Sequence, residues 1–245
     1  DGGSNFSLNA QWYGMGAPYV HADIHDLIYT NGTTIYAGCD GGLFKTTDSG
    51  TSWGDLSSNL QIAQMYGFGQ SSTNPNLLIQ GWQDNGTNLY NGSSWRQVMG
   101  GDGMQAFISW NNDNNMWGSI YYGWLIKSTD GGNYWYDAAY GITEEGGWIT
   151  PWQEDPITAN TLYAGFKNVW KSSDGGDSWI KLNTLSADSH YTITAIAVSP
   201  ANTNIIWTSK AGILYKTSDG GTTWSAITNA PQGRITDIVC HNTNA

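Results

Sequence analysis

The chain has 245 residues, a formal net charge of −11 and only 12% charged residues, with 32 Gly, 14 Trp and 14 Tyr. So acidic a surface repels polyanions, which argues against nucleic acid and acidic membranes as partners, and so much aromatic side chain argues against disorder. No stretch of about 20 apolar residues is available to span a membrane, and the two cysteines, Cys39 and Cys240, lack metal-ligand spacing and read as buried free thiols.

From the amino end, DGGSNF closes on Phe6, and HADIH follows at 21–25. If 21–25 is a strand, His21, Asp23 and His25 alternate onto one face. Two imidazoles and a carboxylate are then candidates for a metal site, for ligand contact, or for a polar lining. Next comes CDGG at 39–42, a hairpin turn carrying Asp40, and then LFKTTDSGTSW, from Leu43 to Trp53. QDNG at 83–86 is a second such turn, with Asp84. The segment NLYNGSSW ends at Trp95 as a worn copy of the phrase that closed on Trp53. GGDGM places Asp102 between glycines that let a ligand approach the backbone.

LIKSTDGGNYW then closes on Trp135, and EEGGWITPW (144–152) offers Trp148 and Trp152 either for stacking on sugar rings or as packed anchors of the loop, with Glu144 and Glu145 as solvated loop charges. VWKSSDGGDSW closes on Trp179, SADSHY (186–191) brings a further loop carboxylate at Asp188, and LYKTSDGGTTW closes on Trp224. The closing aromatics Phe6, Trp53, Trp95, Trp135, Trp179 and Trp224 are spaced by 47, 42, 40, 44 and 45 residues. A period of roughly 40–50 with strand-like content is that of propeller blades of four strands each. The last repeat shows the pattern: ITAIAVSP, NIIWTSK and GILYKTS are three short β-rich runs, and a fourth strand begins at Trp224. The expected fold is therefore all-β, one β-propeller over 1–245 with five complete blades and part of a blade at each end, the last part being an inner strand in RITDIVCHNTNA. Such a cut through two blades leads to the expectation that the chain is a piece of a longer protein.

In S-x-D-G-G-x-x-W the aspartate can accept N–H groups of its own turn, the glycines allow positive φ, and the Trp covers the hairpin. These residues resemble the Asp-box, or bacterial neuraminidase repeat, of sialidases, sortilin-type receptors and xyloglucanase-type propellers. The resemblance implies that Asp48, Asp130, Asp174 and Asp219 are structural, on the face away from any active site. Ligand contacts are then expected from the opposite loops, through His21, Asp23, His25, Asp102, Trp148 and Trp152. Sialidases of this architecture grip a carboxylate with three arginines, and this chain has only Arg96 and Arg234. HADIHDL, CDGGLFKTTDSGTSW, QDNGT, GGDGM and GGWITPW together look like the secreted Bacteroidetes repeat proteins of the type IX secretion route, which implies an extracellular or cell-surface location.

Three functions compete at this level. The first is a non-catalytic module that binds polysaccharide or a surface protein, needs no cofactor and inserts into no membrane. The second is a glycoside hydrolase of the xyloglucanase-like type with a carboxylate pair drawn from Asp23, Asp40, Asp84 and Asp102. The third is a scaffold subunit of a surface assembly.

Overall fold

A computed structural model describes residues 3–185, 190–230 and 233–243. The loop carboxylate Asp188 lies outside the described residues. The chain divides into two compact units, Asp1–Gln64 and Met65–Ala245. Among the described residues all regular structure but one 3-10 turn is β, in five four-stranded antiparallel sheets whose strands follow one another in chain order.

The first unit holds one sheet: β1 (Ile24–Tyr29), β2 (Ile35–Cys39), β3 (Gly42–Thr46) and β4 (Gly54–Asp55). Its core is small: Val20, Ala37 and Phe44 are buried, with Ala10, Cys39 and Trp53 packed against them. The second unit holds four sheets. They are β5 (Gln64–Gln70) to β8 (Trp95–Met99), with β6 (Leu78–Gln83) and β7 (Gly86–Tyr90); and β9 (Gly103–Ile108) to β12 (Tyr136–Asp137), with β10 (Met116–Ile120) and β11 (Trp124–Ser128). Then come β13 (Trp152–Glu154) to β16 (Ile180–Lys181), with β14 (Leu162–Gly165) and β15 (Val169–Ser172); and β17 (Ile193–Val198) to β20 (Ser225–Ala226), with β18 (Ile206–Lys210) and β19 (Ile213–Thr217). The last four strands fall where ITAIAVSP, NIIWTSK, GILYKTS and Trp224 placed them. The segment expected to add an inner strand after them, RITDIVCHNTNA, carries no strand among its described residues; it is tied to β17 by the Thr194 hydroxyl, which donates to the Ile235 carbonyl (2.6 Å).

The Asp-Gly turns join the third and fourth strands of their sheets, and their chemistry has a part that the aspartate alone does not supply. A buried hydroxyl two residues earlier (Thr46, Ser128, Ser172 or Thr217, each 1–2% exposed) donates to the carboxylate. The same oxygen accepts the N–H of the glycine four residues on, at 2.8–3.0 Å. The carboxylate in turn accepts the N–H four residues beyond it, at Ser52, Tyr134, Ser178 and Thr223. In the worn copy Asn91 takes the place of the aspartate, its Oδ1 accepting from the N–H groups of Ser93 and Ser94 at 3.1 Å.

Bonds to the Ser52 and Thr223 hydroxyls and amides hold the Asp48 and Asp219 carboxyls at about 2, below their ordinary 3.8. Burial raises Asp174, but its bonds to Ser178 and Ser172 outweigh that and bring it to about 2 as well. A carboxyl lowered by folding stabilises the fold above its unfolded pKa, and the contribution is lost as pH falls through the folded value. The melting temperature is therefore expected to fall steeply between about pH 4 and pH 2, and Asp219→Asn to make that fall shallower. Circular dichroism melts across this range check it, and a collapse already complete at pH 5 would contradict it.

The closing tryptophans do more than cover their own hairpins, which is what the repeat suggested. Trp179, from the fourth sheet, is 7% exposed and sits among Trp117, Leu125 and Ala138 of the third, donating Nε1–H to the Ala138 carbonyl (2.7 Å). Trp135 packs against a core cluster that joins Ile79 and Leu89 of the second sheet to Ala106, Ile108 and Met116 of the third, and Trp224 against one that joins Tyr163 and Val169 of the fourth to Ile196, Ile206 and Tyr215 of the fifth. The turn glycines make the same seam: Gly132 O accepts from Arg96 (2.7 Å), Gly175 O from Trp117 Nε1 (3.1 Å) and Gly221 O from the Asn183 N–H (3.2 Å). Each box in the second unit thus latches its sheet to the one before. Trp95 departs from this, 42% exposed against Trp82 and Tyr90, and Phe6, 93% exposed, closes nothing. Cys39 and Cys240 are free cysteines, and both are half-buried instead of buried.

Candidate functional site

In the first unit the strand begins at Ile24, so His21 and Asp23 precede it. Asp23 has φ +55°, and the pairing of β1 with β2 shifts between Ile24 and Asp26. A left-handed residue followed by a bulge breaks the two-residue alternation, so the expectation of His21, Asp23 and His25 on one strand face is not met. His25 instead contacts the β2–β3 turn through Asp40, Nε2 to Oδ1 at 2.5 Å, with its side chain 69% exposed. The ring of His21 lies over that turn, and a β-carbon on Gly41 would come within 2.2 Å of it, which explains why the turn reads CDGG.

In the second unit Asp84 occupies the β6–β7 turn with φ +59°, and its N–H donates to Asp102 Oδ1 at 2.8 Å. Gly86 N–H adds a bond to Gly101 O at 2.8 Å. The GGDGM segment clasps that turn, and one oxygen of the Asp102 carboxylate is spent on backbone.

The two tryptophans of EEGGWITPW part company. Trp152 opens β13 with 0% exposure, edge-on to Phe107 at 4.9 Å. It is core and cannot stack on a ligand, a correction to the expectation. Trp148 is 39% exposed and meets two residues that sequence reasoning passed over, Tyr121 (37% exposed) and Tyr122 (50%). Trp148 and Tyr121 are parallel within 5° at 5.5 Å, and Tyr122 stands edge-on to Trp148 at 5.6 Å. The signal lay in IYYGW, two tyrosines at the turn between the second and third strands of a repeat.

That turn is held in an unfavourable conformation. Tyr122 has φ +58° and ψ +23°, a left-handed conformation uncommon outside glycine. Its N–H donates to Gly147 O and its carbonyl accepts from Gly146 N–H, both at 3.1 Å. Gly123, next in line, has φ +84°, and a β-carbon there would come within 2.3 Å of the Phe166 ring. Strain held in place by surrounding contacts is a mark of functional sites. By strand order this cluster lies at the end of the third sheet opposite its Asp-Gly turn.

Glu144 anchors the loop. It was expected to be a solvated charge, yet its side chain is only 12% exposed and accepts from the Asn168 N–H (2.9 Å), Asn168 Nδ2 (2.8 Å) and Trp170 Nε1 (3.1 Å), with Lys181 Nζ at 3.7 Å. Burial pushes its pKa up, but the bonds from Asn168 and Trp170 and the charge of Lys181 bring it below the ordinary 4.5. The loop between β12 and β13 is thereby fixed to the β14–β15 turn, and Trp148 with it.

No family model matches the chain. An ancestral GH74 enzyme superposes with a TM-score of 0.59 at 21% identity, over 87% of this chain and 32% of that one. The GH74 xyloglucanase from Xanthomonas campestris gives 0.54 at 14% identity, over 82% and 37%. The extracellular domain of a putative one component system from B. thetaiotaomicron gives 0.57 at 11%, over 88% and 30%. These are β-propeller proteins. The likeness is one of fold, and the four-stranded sheets described above are of the propeller-blade kind. A xyloglucanase of Hypocrea jecorina is 34% identical over 85 residues, which make up 33% of this chain and 10% of that protein. The chain spans about a third of the length of these solved propellers.

Proposed function

We propose that this chain is a non-catalytic, polysaccharide-binding part of an extracellular or cell-surface β-propeller protein, and that the sugar chain is held on Tyr121, Tyr122 and Trp148. The observation that carries the reading is the cluster itself: three exposed aromatic rings within 5.6 Å of one another, Tyr121 and Tyr122 on a turn kept left-handed by the loop that carries Trp148. Sugar rings have apolar C–H faces that pack on flat aromatic surface, while Tyr hydroxyl and Trp N–H groups meet their edges. The net charge of −11 favours neutral polysaccharides over anionic ones. Likeness to a xyloglucanase and to GH74 structures supports a carbohydrate ligand, and likeness to an extracellular domain supports the location.

Trp148→Ala is expected to weaken retention on a neutral β-glucan by about tenfold, equivalent to about 1.4 kcal/mol, while leaving the melting temperature within a degree or so. Affinity electrophoresis through gels containing xyloglucan or hydroxyethylcellulose measures this. Trp124→Ala, at an exposed Trp outside the cluster, is the control and should migrate as the wild type does.

The xyloglucanase match gives hydrolysis a specific basis as the second reading. It requires two carboxyl groups facing one glycosidic bond. Asp102 is less available for that than the sequence suggested, because it already serves the Asp84 turn. New reducing ends that vanish in Asp102→Asn would establish hydrolysis in place of simple binding.

A further inference from the structure

Apart from the aromatic cluster, the second unit contains a cavity of about 420 Å³. Its wall comes from the first strands of three sheets: Tyr66 and Phe68 of β5, Gln105 of β9 and Thr194 of β17. Ile149 and Pro151, which follow Trp148 in the chain, complete one side, and Thr236 and Asp237 close another. We infer that this cavity is a pocket for a single neutral sugar unit, a hexopyranose or pentopyranose. The inference rests on the carbohydrate reading above and names a second site for the same ligand class.

Three features select that ligand. The lining is amphipathic in the way a pyranose is: Phe68, Ile149 and Pro151 offer apolar surface, while Tyr66, Gln105, Thr194 and Thr236 offer hydroxyl and amide groups. Among the described residues no Lys or Arg lines it and one carboxylate, Asp237, does, so uronates and sulfated sugars are repelled. At about 420 Å³ the space lies near the low end of small-molecule pockets, suited to one ring and not to an oligosaccharide.

The polar groups are also held in place before any ligand arrives. Tyr66 donates its hydroxyl hydrogen to Gln83 Oε1 at 2.6 Å, and Gln105 Oε1 accepts from the Trp152 N–H at 3.4 Å. The Thr194 bond to Ile235 O fixes the segment that carries Thr236 and Asp237. Preorganised donors and acceptors cost little to order on binding.

Saturation-transfer NMR with free D-xylose, D-galactose and D-galacturonate tests the pocket without the aromatic cluster. Transfer to the two neutral sugars and not to galacturonate is expected. Thr236→Phe, at an exposed position facing the cavity, is expected to cut that transfer by about fivefold with an unchanged melting temperature, and Asp237→Ala to admit galacturonate. Trp148→Ala should lose retention on polysaccharide yet keep the monosaccharide signal. Retention on polysaccharide without any monosaccharide transfer overturns the pocket alone, as does transfer that Thr236→Phe leaves unchanged. Transfer without retention keeps the pocket and removes the aromatic platform, and a blank in both assays overturns both.

Discussion

Trp179→Ala is expected to be among the most damaging single substitutions in the second unit, lowering stability by about 3–5 kcal/mol and the melting temperature by about 10 °C. The size follows from position. Trp179 is 7% exposed at the seam of the third and fourth sheets, among Trp117, Leu125, Trp152 and Leu162. Its removal leaves a cavity that rigid neighbouring strands cannot close, and it leaves the Ala138 carbonyl without the indole N–H that meets it at 2.7 Å. Trp95→Ala, at the 42% exposed closing position of the second sheet, should cost less, about 1–2 kcal/mol, since some two fifths of its surface is already in water. Denaturant melts of the two variants separate these cases. Equal losses would contradict the view that the closing tryptophans are wedges between sheets and not lids on single hairpins.

Glu144→Ala is expected to act on stability and on ligand retention together. Three donors, the Asn168 N–H, Asn168 Nδ2 and Trp170 Nε1, lose their common acceptor. Donors left unpaired in a half-buried site cost about 1–3 kcal/mol each, moderated where loosening lets water in, so a total of about 2–4 kcal/mol is expected. Trp148, four residues on, then loses its fixed position, and retention on neutral β-glucan should fall even at temperatures where the variant is folded. Glu144→Gln keeps one acceptor oxygen and should recover much of both. Because folding lowers the Glu144 pKa below 4.5, the anchor contributes fully above that value and is lost as pH falls through the folded one. Retention should therefore weaken as acid protonates Glu144. Retention unchanged in Glu144→Ala would show that Trp148 is positioned by something else.

The repeated elements were legible because the repeat is written in residues with few alternatives. Glycine at positive φ, a hydroxyl two residues before an aspartate and a tryptophan five after it leave little freedom. The site was less legible because its determinants are not local. Nothing in HADIH announces that Asp23 turns left-handed and spoils the alternation. Trp148 and Trp152 look equivalent in WITPW, yet the strand begins at Trp152 and turns it inward. Glu144 looks like a surface charge until the β14–β15 turn brings Asn168 and Trp170 to it. Tyr121 and Tyr122 were visible as residues, but their exposure depends on Gly146 and Gly147 of another loop clasping the turn.

The most direct test of the central claim is to run the wild-type protein by affinity electrophoresis against xyloglucan, hydroxyethylcellulose and polygalacturonate, with reducing ends assayed on the same samples. Retardation by one or both neutral polysaccharides, none by polygalacturonate and no new reducing ends is the predicted result. Migration unchanged in every gel, or retardation accompanied by released reducing ends, would contradict it.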